Sequence, residues 1–182
     1  ALCTFNGERF LVEQLASLRD QARLPDEVVI CDDASADRSA AIAVDFAKAA
    51  PFPVRVQVNS ANFGTTKNFE QAIRLCNGDV IALCDQDDVW LPGKLQVMEG
   101  VFTRDAACGF VFSNAEVVDE QLKPLGYLLW DAVGFPPRVR QRFRNGQAFA
   151  ELIRRPHVTG ATLAFRNRFR EWILPIPTSA GM

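Results

Sequence analysis

Ile81-Ala82-Leu83-Cys84-Asp85-Gln86-Asp87-Asp88-Val89-Trp90 is the stretch on which the fold turns. Its apolar start reads as a buried strand, and that strand empties directly into three carboxylates. Like charges gathered at one strand end repel each other, and they persist only where a cation or hydrogen-bond donors compensate them. Asp-X-Asp in such a place offers hard oxygen ligands suited to Mg²⁺ or Mn²⁺. These ions keep several waters and share a substrate phosphate rather than fill an all-protein cage. The same residues also read as a solvated acidic turn, with Asp88 capping the helix that follows.

Outward from this stretch, strand-then-helix units repeat. Val80–Cys84 is predicted as one strand, and Pro92 opens a helix with Leu95, Met98, Val101 and Phe102 on its apolar face. Upstream, Ala1-Leu2-Cys3 precedes a helix from about Glu8 to Gln21 with Leu11, Leu15 and Leu18 on one side. Glu27–Cys31 is a strand ending in Asp32-Asp33, with a helix behind it that runs to Pro51. Val54–Val58 alternates as a half-buried strand, and Asn62-Phe63-Gly64 leads into a helix with Phe69, Ala72, Ile73 and Cys76 inward. This alternation predicts an α/β fold, a mostly parallel sheet with helices on both faces. Thr4–Asn6, Asp32–Asp33 and Asp85–Asp88 then all lie at the C-terminal strand ends, where such sheets bind ligands. Taken singly, Asp33 and Asp37 also read as helix caps.

Past Phe110-Val111-Phe112 the pattern changes to Val117–Asp119, a turn at Lys123–Gly126 and a stretch rich in aromatics and proline. A helix from about Gly146 to Arg154 and a strand Ala161–Phe165 follow, predicting an antiparallel annex. The 182 residues are 48% hydrophobic, enough for one core, so the chain reads as a single domain with halves 1–104 and 105–182. Both ends read as cut, the first as the tail of a strand, and the second half is taken as incomplete.

A net charge of −2 with scattered Lys and Arg excludes nucleic acid as the main partner. The exception is Arg138–Arg144, where arginine occupies every second position. It reads as a solvated loop or edge strand, or as a contact for anionic lipid or a phosphorylated acceptor. The five cysteines show no paired spacing, and Cys31 and Cys84 sit in apolar runs as small hydrophobes, which fits a reducing cytoplasm. No apolar run is long enough to span a membrane.

The succession Cys3-Thr4-Phe5-Asn6-Gly7-Glu8-Arg9-Phe10-Leu11, Cys31-Asp32-Asp33-Ala34-Ser35, Asn62-Phe63-Gly64 and Asp85-Gln86-Asp87-Asp88-Val89-Trp90-Leu91-Pro92 resembles family 2 glycosyltransferases of the GT-A fold. Among these it is most similar to the bacterial rhamnosyltransferase type. The resemblance implies a metal-dependent, inverting transfer of a sugar such as rhamnose in surface polysaccharide synthesis. The donor would be dTDP- or UDP-linked, the acceptor a glycan or a lipid-linked glycan. It implies a cytoplasmic enzyme, with peripheral association at the inner face of the cell membrane as an open alternative. Position by position, Thr4, Phe5 and Asn6 would line the nucleoside pocket, and Asp33, beside Asp32, would accept a hydrogen bond from the base. Asn62, Gly64 and Lys67 would approach the nucleotide, with Lys67 read equally as a solvated helix residue. Asp87 would touch a Mg or Mn ion, and Asp85 would share that ion and lie near the ribose.

On the acceptor side the resemblance marks Trp90, His157, Gly160 and Thr162. Trp90 equally reads as core, His157 as a structural residue near a strand start, and Trp130 and Trp172 as core or annex packing. Related enzymes place their general base in a His-Asp or Glu-Asp motif after a strand like Gly160–Phe165. No such motif occurs before Met182, so the base is expected beyond it, with Glu116 and Asp119 as the carboxylates to consider otherwise. Three other readings compete: a nucleotide-sugar-binding segment without catalysis, a Mg-dependent phosphoreceiver and a phosphohydrolase. The triple carboxylate cluster on a fourth strand and the long annex fit the last two poorly.

Overall fold

Leu2–Thr4 (β1) and Val28–Asp32 (β2) are buried at every residue, as befits central strands of a parallel sheet covered on both faces. They belong to a computed structural model that describes residues 1–177. The chain divides into two units, Ala1–Val111 with the chain from Ala164 onward, and Phe112–Leu163. The first division thus falls at Val111, not at the 104/105 boundary read from the sequence, and the chain returns to the first unit at Ala164.

In the first unit, Leu11–Arg19 (α1) follows β1, and Ser39–Ala49 (α2) follows β2. Leu11, Leu15 and Leu18 are buried on α1, the i, i+4, i+7 spacing of one helix face. Val54–Val58 (β3) leads to Thr65–Leu75 (α3), which buries Phe69, Ala72 and Ile73. Val80–Ala82 (β4) and Cys84–Asp85 (β5) come next, then Lys94–Arg104 (α4), which buries Met98 and Phe102, and Phe110–Phe112 (β6). The single strand expected over Val80–Cys84 is therefore broken at Leu83. The reason is a change of partner: β4 pairs antiparallel with Leu163–Arg166 (β9), whereas β5 pairs parallel with β1.

The main sheet has the order β3-β2-β1-β5, all parallel. From β1 the chain winds to one side through β2 and β3 and then crosses to the other side at β5. The order therefore reverses between β1 and β5, and the C-terminal ends of strands at such a reversal are where open α/β sheets bind ligands. Leu2, Leu11, Leu15, Leu18, Val28, Ile30, Ala43, Phe52, Cys84 and Trp90 form the core beneath it. A smaller sheet has the order β4-β9-β6, and Arg170–Ile173 (α8) follows β9. Trp172, read from the sequence as packed, is 85% exposed, with its ring tilted against that of Phe169 at 5.7 Å between centroids, and α8 is a single turn with no buried residue.

The second unit holds the hairpin of Glu116–Val118 (β7) and Pro124–Leu128 (β8), then Leu129–Ala132 (α5), Pro137–Arg142 (α6) and Ala148–Arg154 (α7). The alternating arginines are thus helical rather than a loop or edge strand. Pro137 stands at the first turn, where its missing N–H costs nothing. Phe135 centres an aromatic cluster, with Phe143 at 4.9 Å, Trp130 at 5.2 Å and His157 at 5.2 Å between ring centroids.

Candidate functional site

Register sets the site. Parallel pairing puts Thr4 opposite Asp32 and Cys3 opposite Asp85, so the polar ends of β1, β2 and β5 stand side by side at the reversal of strand order. Three strand ends far apart in sequence thereby form one edge.

The loops leaving that edge are stitched to one another. Gln86 turns away from its neighbouring aspartates. Its Oε1 accepts from Thr4 Oγ1 at 2.8 Å and from the Phe5 amide at 2.8 Å, and its Nε2 donates to the Phe5 carbonyl at 3.3 Å. A Cβ on Gly7 would run into that same Gln86 amide, which is why the smallest residue follows Asn6. Asn6, at φ +48°, accepts from the Ala36 amide through Oδ1, while its own N–H donates to Ser35 Oγ. Ser35 is held in turn by Asp32, whose Oδ1 accepts from the Ser35 amide at 2.9 Å.

Asp33 is 2% exposed and accepts three hydrogen bonds, from Asn59 Nδ2 (2.8 Å) and the Phe63 amide (2.9 Å) on Oδ1 and from the Gly64 amide (2.8 Å) on Oδ2. It thus closes the 59–64 loop over the sheet edge and retains a lone pair on Oδ2. Gly64, at φ +84°, sits in the left-handed region that glycine adopts without strain, which lets its amide turn back to Asp33. Asn62 accepts from the Gly64 amide at 3.1 Å. Lys67 bonds both oxygens of Glu70, at 2.9 and 3.0 Å, so its charge is directed along α3. Neither Asp33 nor Asp37 is the N-cap of α2, which is Arg38, although Asp37 accepts from the Ser39 amide at 2.9 Å just ahead of the helix.

The carboxylates of Asp85, Asp87 and Asp88 crowd one another. Burial raises the pKa of Asp85, and Asp87 raises it further. Burial, then Asp85, pushes Asp88 up to about 6. Lys94 opposes both shifts from α4, and its own pKa is lowered by burial. The Lys94 Nζ also lies 3.9 Å from the centroid of the Trp90 ring. Asp87 is exposed at the rim. The donor set is all oxygen, as a hard divalent cation requires. Among the described residues no three His, Cys, Asp or Glu side chains converge, so phosphate and water oxygens would complete the shell.

Sequence reading missed the support beneath this loop. Ser17 Oγ accepts from the Trp90 amide at 3.0 Å, Gln21 Nε2 donates to the Leu91 carbonyl at 2.9 Å, and Gln21 Oε1 accepts from the Leu95 amide at 3.1 Å. Gln14 and Ser17 on α1 and Gln21 just past its end are buried polar residues at i, i+3 and i+7, a spacing that could have signalled a polar seam on an apolar face. Cys84 underlies it as a hydrophobe, its thiol pushed up to about 12 by burial. Trp90 lies in the core, the packing alternative of its two readings.

His157, Gly160 and Thr162 belong to the second unit. His157 is buried among Phe135 and Phe143, and Thr162 Oγ1 donates to the Thr159 carbonyl at 3.0 Å. Asp119 accepts from the Gln121 and Lys123 amides, which is the work of a turn. In the first unit a cavity of about 370 Å³ opens beside Val28, Val80 and Met98, at the strand ends opposite the carboxylates. No helix among the described residues is long and apolar enough to cross a membrane.

The model of the family described as Glycosyl transferase family 2 matches residues 1–172. The dTDP-rhamnosyl transferase RfbG of Shigella flexneri is 32% identical over 118 residues, 63% of this chain and 38% of that protein. TarS of S. aureus, solved in complex with UDP-GlcNAc, is 26% identical with a TM-score of 0.52, over 57% of this chain and 30% of its own. The mannosyltransferase PcManGT from Pyrobaculum calidifontis, solved with GDP-Man and Mn²⁺, shares the fold at a TM-score of 0.68 and 18% identity, over 99% of this chain and 47% of its own. The matched stretch spans between 36% and 38% of the curated relatives that head this comparison.

Proposed function

Because the chain belongs to glycosyl transferase family 2 and has the GT-A fold, we propose that it carries the donor site of an inverting glycosyltransferase. The observation that carries this reading is the Asp85, Asp87 and Asp88 cluster at the reversal of strand order, with loops 4–7 and 62–64 around the same edge. The donor is a dTDP- or UDP-linked sugar, rhamnose foremost. The acceptor is a glycan or lipid-linked glycan of surface polysaccharide synthesis. The dTDP-rhamnosyl name of RfbG and the UDP-GlcNAc bound to TarS support the donor class.

Each residue has a part in this reading. Thr4, Phe5 and Asn6 form one wall of the nucleoside pocket, and Gln86 holds that wall rigid. The free lone pair of Asp33 accepts from a pyrimidine ring N–H, and a base without that donor leaves the carboxylate unpaired. Asp32 holds the loop through Ser35, and Asn62 and Gly64 form the opposite rim, with Lys67 beside them on α3. Asp87 and Asp85 hold Mg²⁺ or Mn²⁺, the choice supported by the Mn²⁺ in PcManGT. Such an ion supplies positive charge against the negative charge that develops on a departing nucleoside diphosphate. The acceptor base is assigned to no residue of the chain.

Calorimetric titration of UDP and dTDP, with Mn²⁺ and with chelator, tests the reading, with ADP and GDP alongside. Mn²⁺-dependent, pyrimidine-selective binding that is lost in Asp87→Asn is expected. Equal binding with chelator, or equal binding of purine nucleotides, would overturn the assignment of Asp87 or of Asp33 respectively.

A further inference from the structure

Residues 137–155 of the second unit hold six arginines and one carboxylate, Glu151, in a chain whose net charge is −2. The inner side of this segment is anchored. Phe143 packs against Phe135 and Phe112, Arg140 lies over Trp130 at 5.2 Å, and Arg142 on α6 pairs with the buried Glu151 on α7 at 2.8 Å. Arg154 lies 3.8 Å from the same carboxylate, so Arg142 and Arg154 share the segment's only negative charge. The outer side is unlike an ordinary solvated face. Phe149 and Ile153, one turn apart on α7, are 78% and 70% exposed, and Arg138, Arg144, Arg154 and Arg155 are exposed as well.

Two large apolar tips projecting from a basic surface match the chemistry of an anionic bilayer. The tips enter the acyl boundary while guanidinium groups bind headgroup phosphates and their stems snorkel. Of the exposed large apolar side chains, only Phe149, Ile153, Leu91 and Trp172 reach 70%, and Phe149 and Ile153 alone of these lie within the arginine-rich segment, whereas a purely apolar partner would not reward so many arginines. We propose that the α6–α7 segment docks on membranes carrying anionic phospholipid. This goes beyond the donor-site reading and rests on that reading only for the benefit of meeting a lipid-linked acceptor.

The test is co-sedimentation of the 182-residue chain with phosphatidylcholine vesicles, with and without phosphatidylglycerol, at low and raised salt. Binding should require phosphatidylglycerol and weaken with salt. Phe149→Ser with Ile153→Ser should lower the partition by about tenfold. Replacing Arg138, Arg144 and Arg155 by glutamine should abolish the preference for phosphatidylglycerol. All five positions are exposed or on the surface of short helices, and melting curves confirm the fold of each variant. Equal partition onto neutral vesicles, no partition at all, or a Phe149/Ile153 variant that binds like the parent would overturn the proposal. So would a parent dimer that the same variant dissociates, which would make the face a contact between copies. UDP or dTDP binding is measured in parallel. Retained nucleotide binding without vesicle binding refutes the membrane surface alone, and vesicle binding without nucleotide binding refutes the donor site alone.

Discussion

Replacing Asp88 with asparagine should stabilise the metal-free protein at neutral pH. Burial, followed by repulsion from Asp85, pushes this carboxyl from its usual 3.8 up to about 6, with Lys94 pulling the other way. Ionising a carboxyl held that high costs about 3 kcal/mol relative to the unfolded chain. The folded state keeps a proton that the unfolded chain has already released. Stability therefore falls as pH rises from about 4 to about 6, and above that the folded protein carries the whole cost of the buried charge. Asparagine has no charge to desolvate. The variant should exceed the parent by about 1–3 kcal/mol above pH 6, the lower value allowing for the amide's own desolvation and the lost attraction to Lys94. Below about pH 4 the difference should vanish, because both side chains are then neutral. For a chain of this size the gain corresponds to a Tm rise of about 3–10 °C. Thermal unfolding followed by circular dichroism from about pH 4 to 8, with chelator present, measures it. Equal Tm values near neutral pH, or a gain undiminished in acid, would refute the account of Asp88 as a half-buried charge crowded by Asp85.

Gly7→Ala should cost about 1–2 kcal/mol, because the new methyl displaces the Gln86 amide from Thr4 and Phe5. In a Gln86→Ala background the same change should cost much less, and additive costs in a double-mutant cycle read by urea unfolding would discredit the Gln86 lock. Ser17→Ala leaves the Trp90 amide without its acceptor and should lower stability by about 1–2 kcal/mol; an unchanged urea midpoint would show that this bond does not support the loop. Saturating Mn²⁺ with UDP or dTDP should raise the Tm of the parent, by the equivalent of about 2.7 kcal/mol at a hundredfold excess over Kd, and should leave Asp87→Asn unmoved. A similar rise in the variant would move the cation elsewhere in the cluster.

Local periodicity and composition made much of this protein legible. Leu11, Leu15 and Leu18 face the core at helical spacing, Val28–Cys31 is buried throughout, and the polar residues after β1, β2 and β5 stand at one edge because parallel strands all end on the same side. The helix face and the buried run lie within a few neighbouring residues, and the shared edge follows from the strand-then-helix order along the chain, so sequence alone determined them. The remainder depends on which partner each group meets in the folded chain. Val80–Cys84 breaks at Leu83 because β9 and β1 compete for its two ends, a choice made by residues about eighty positions away on either side. Gln86 looked like the spacer between two ligands, yet it locks Thr4 and Phe5 at 82 and 81 residues' distance. Asp33 holds the 59–64 loop, Lys67 turns to Glu70, and Trp172 stays in solvent. The alternating arginines wind into a helix, because Pro137 starts one and the pair between Arg142 and Glu151 ties it to the next. A side chain's type limits which bonds it can make, but which of them it makes is decided by the groups that the tertiary fold brings within about 3 Å of it.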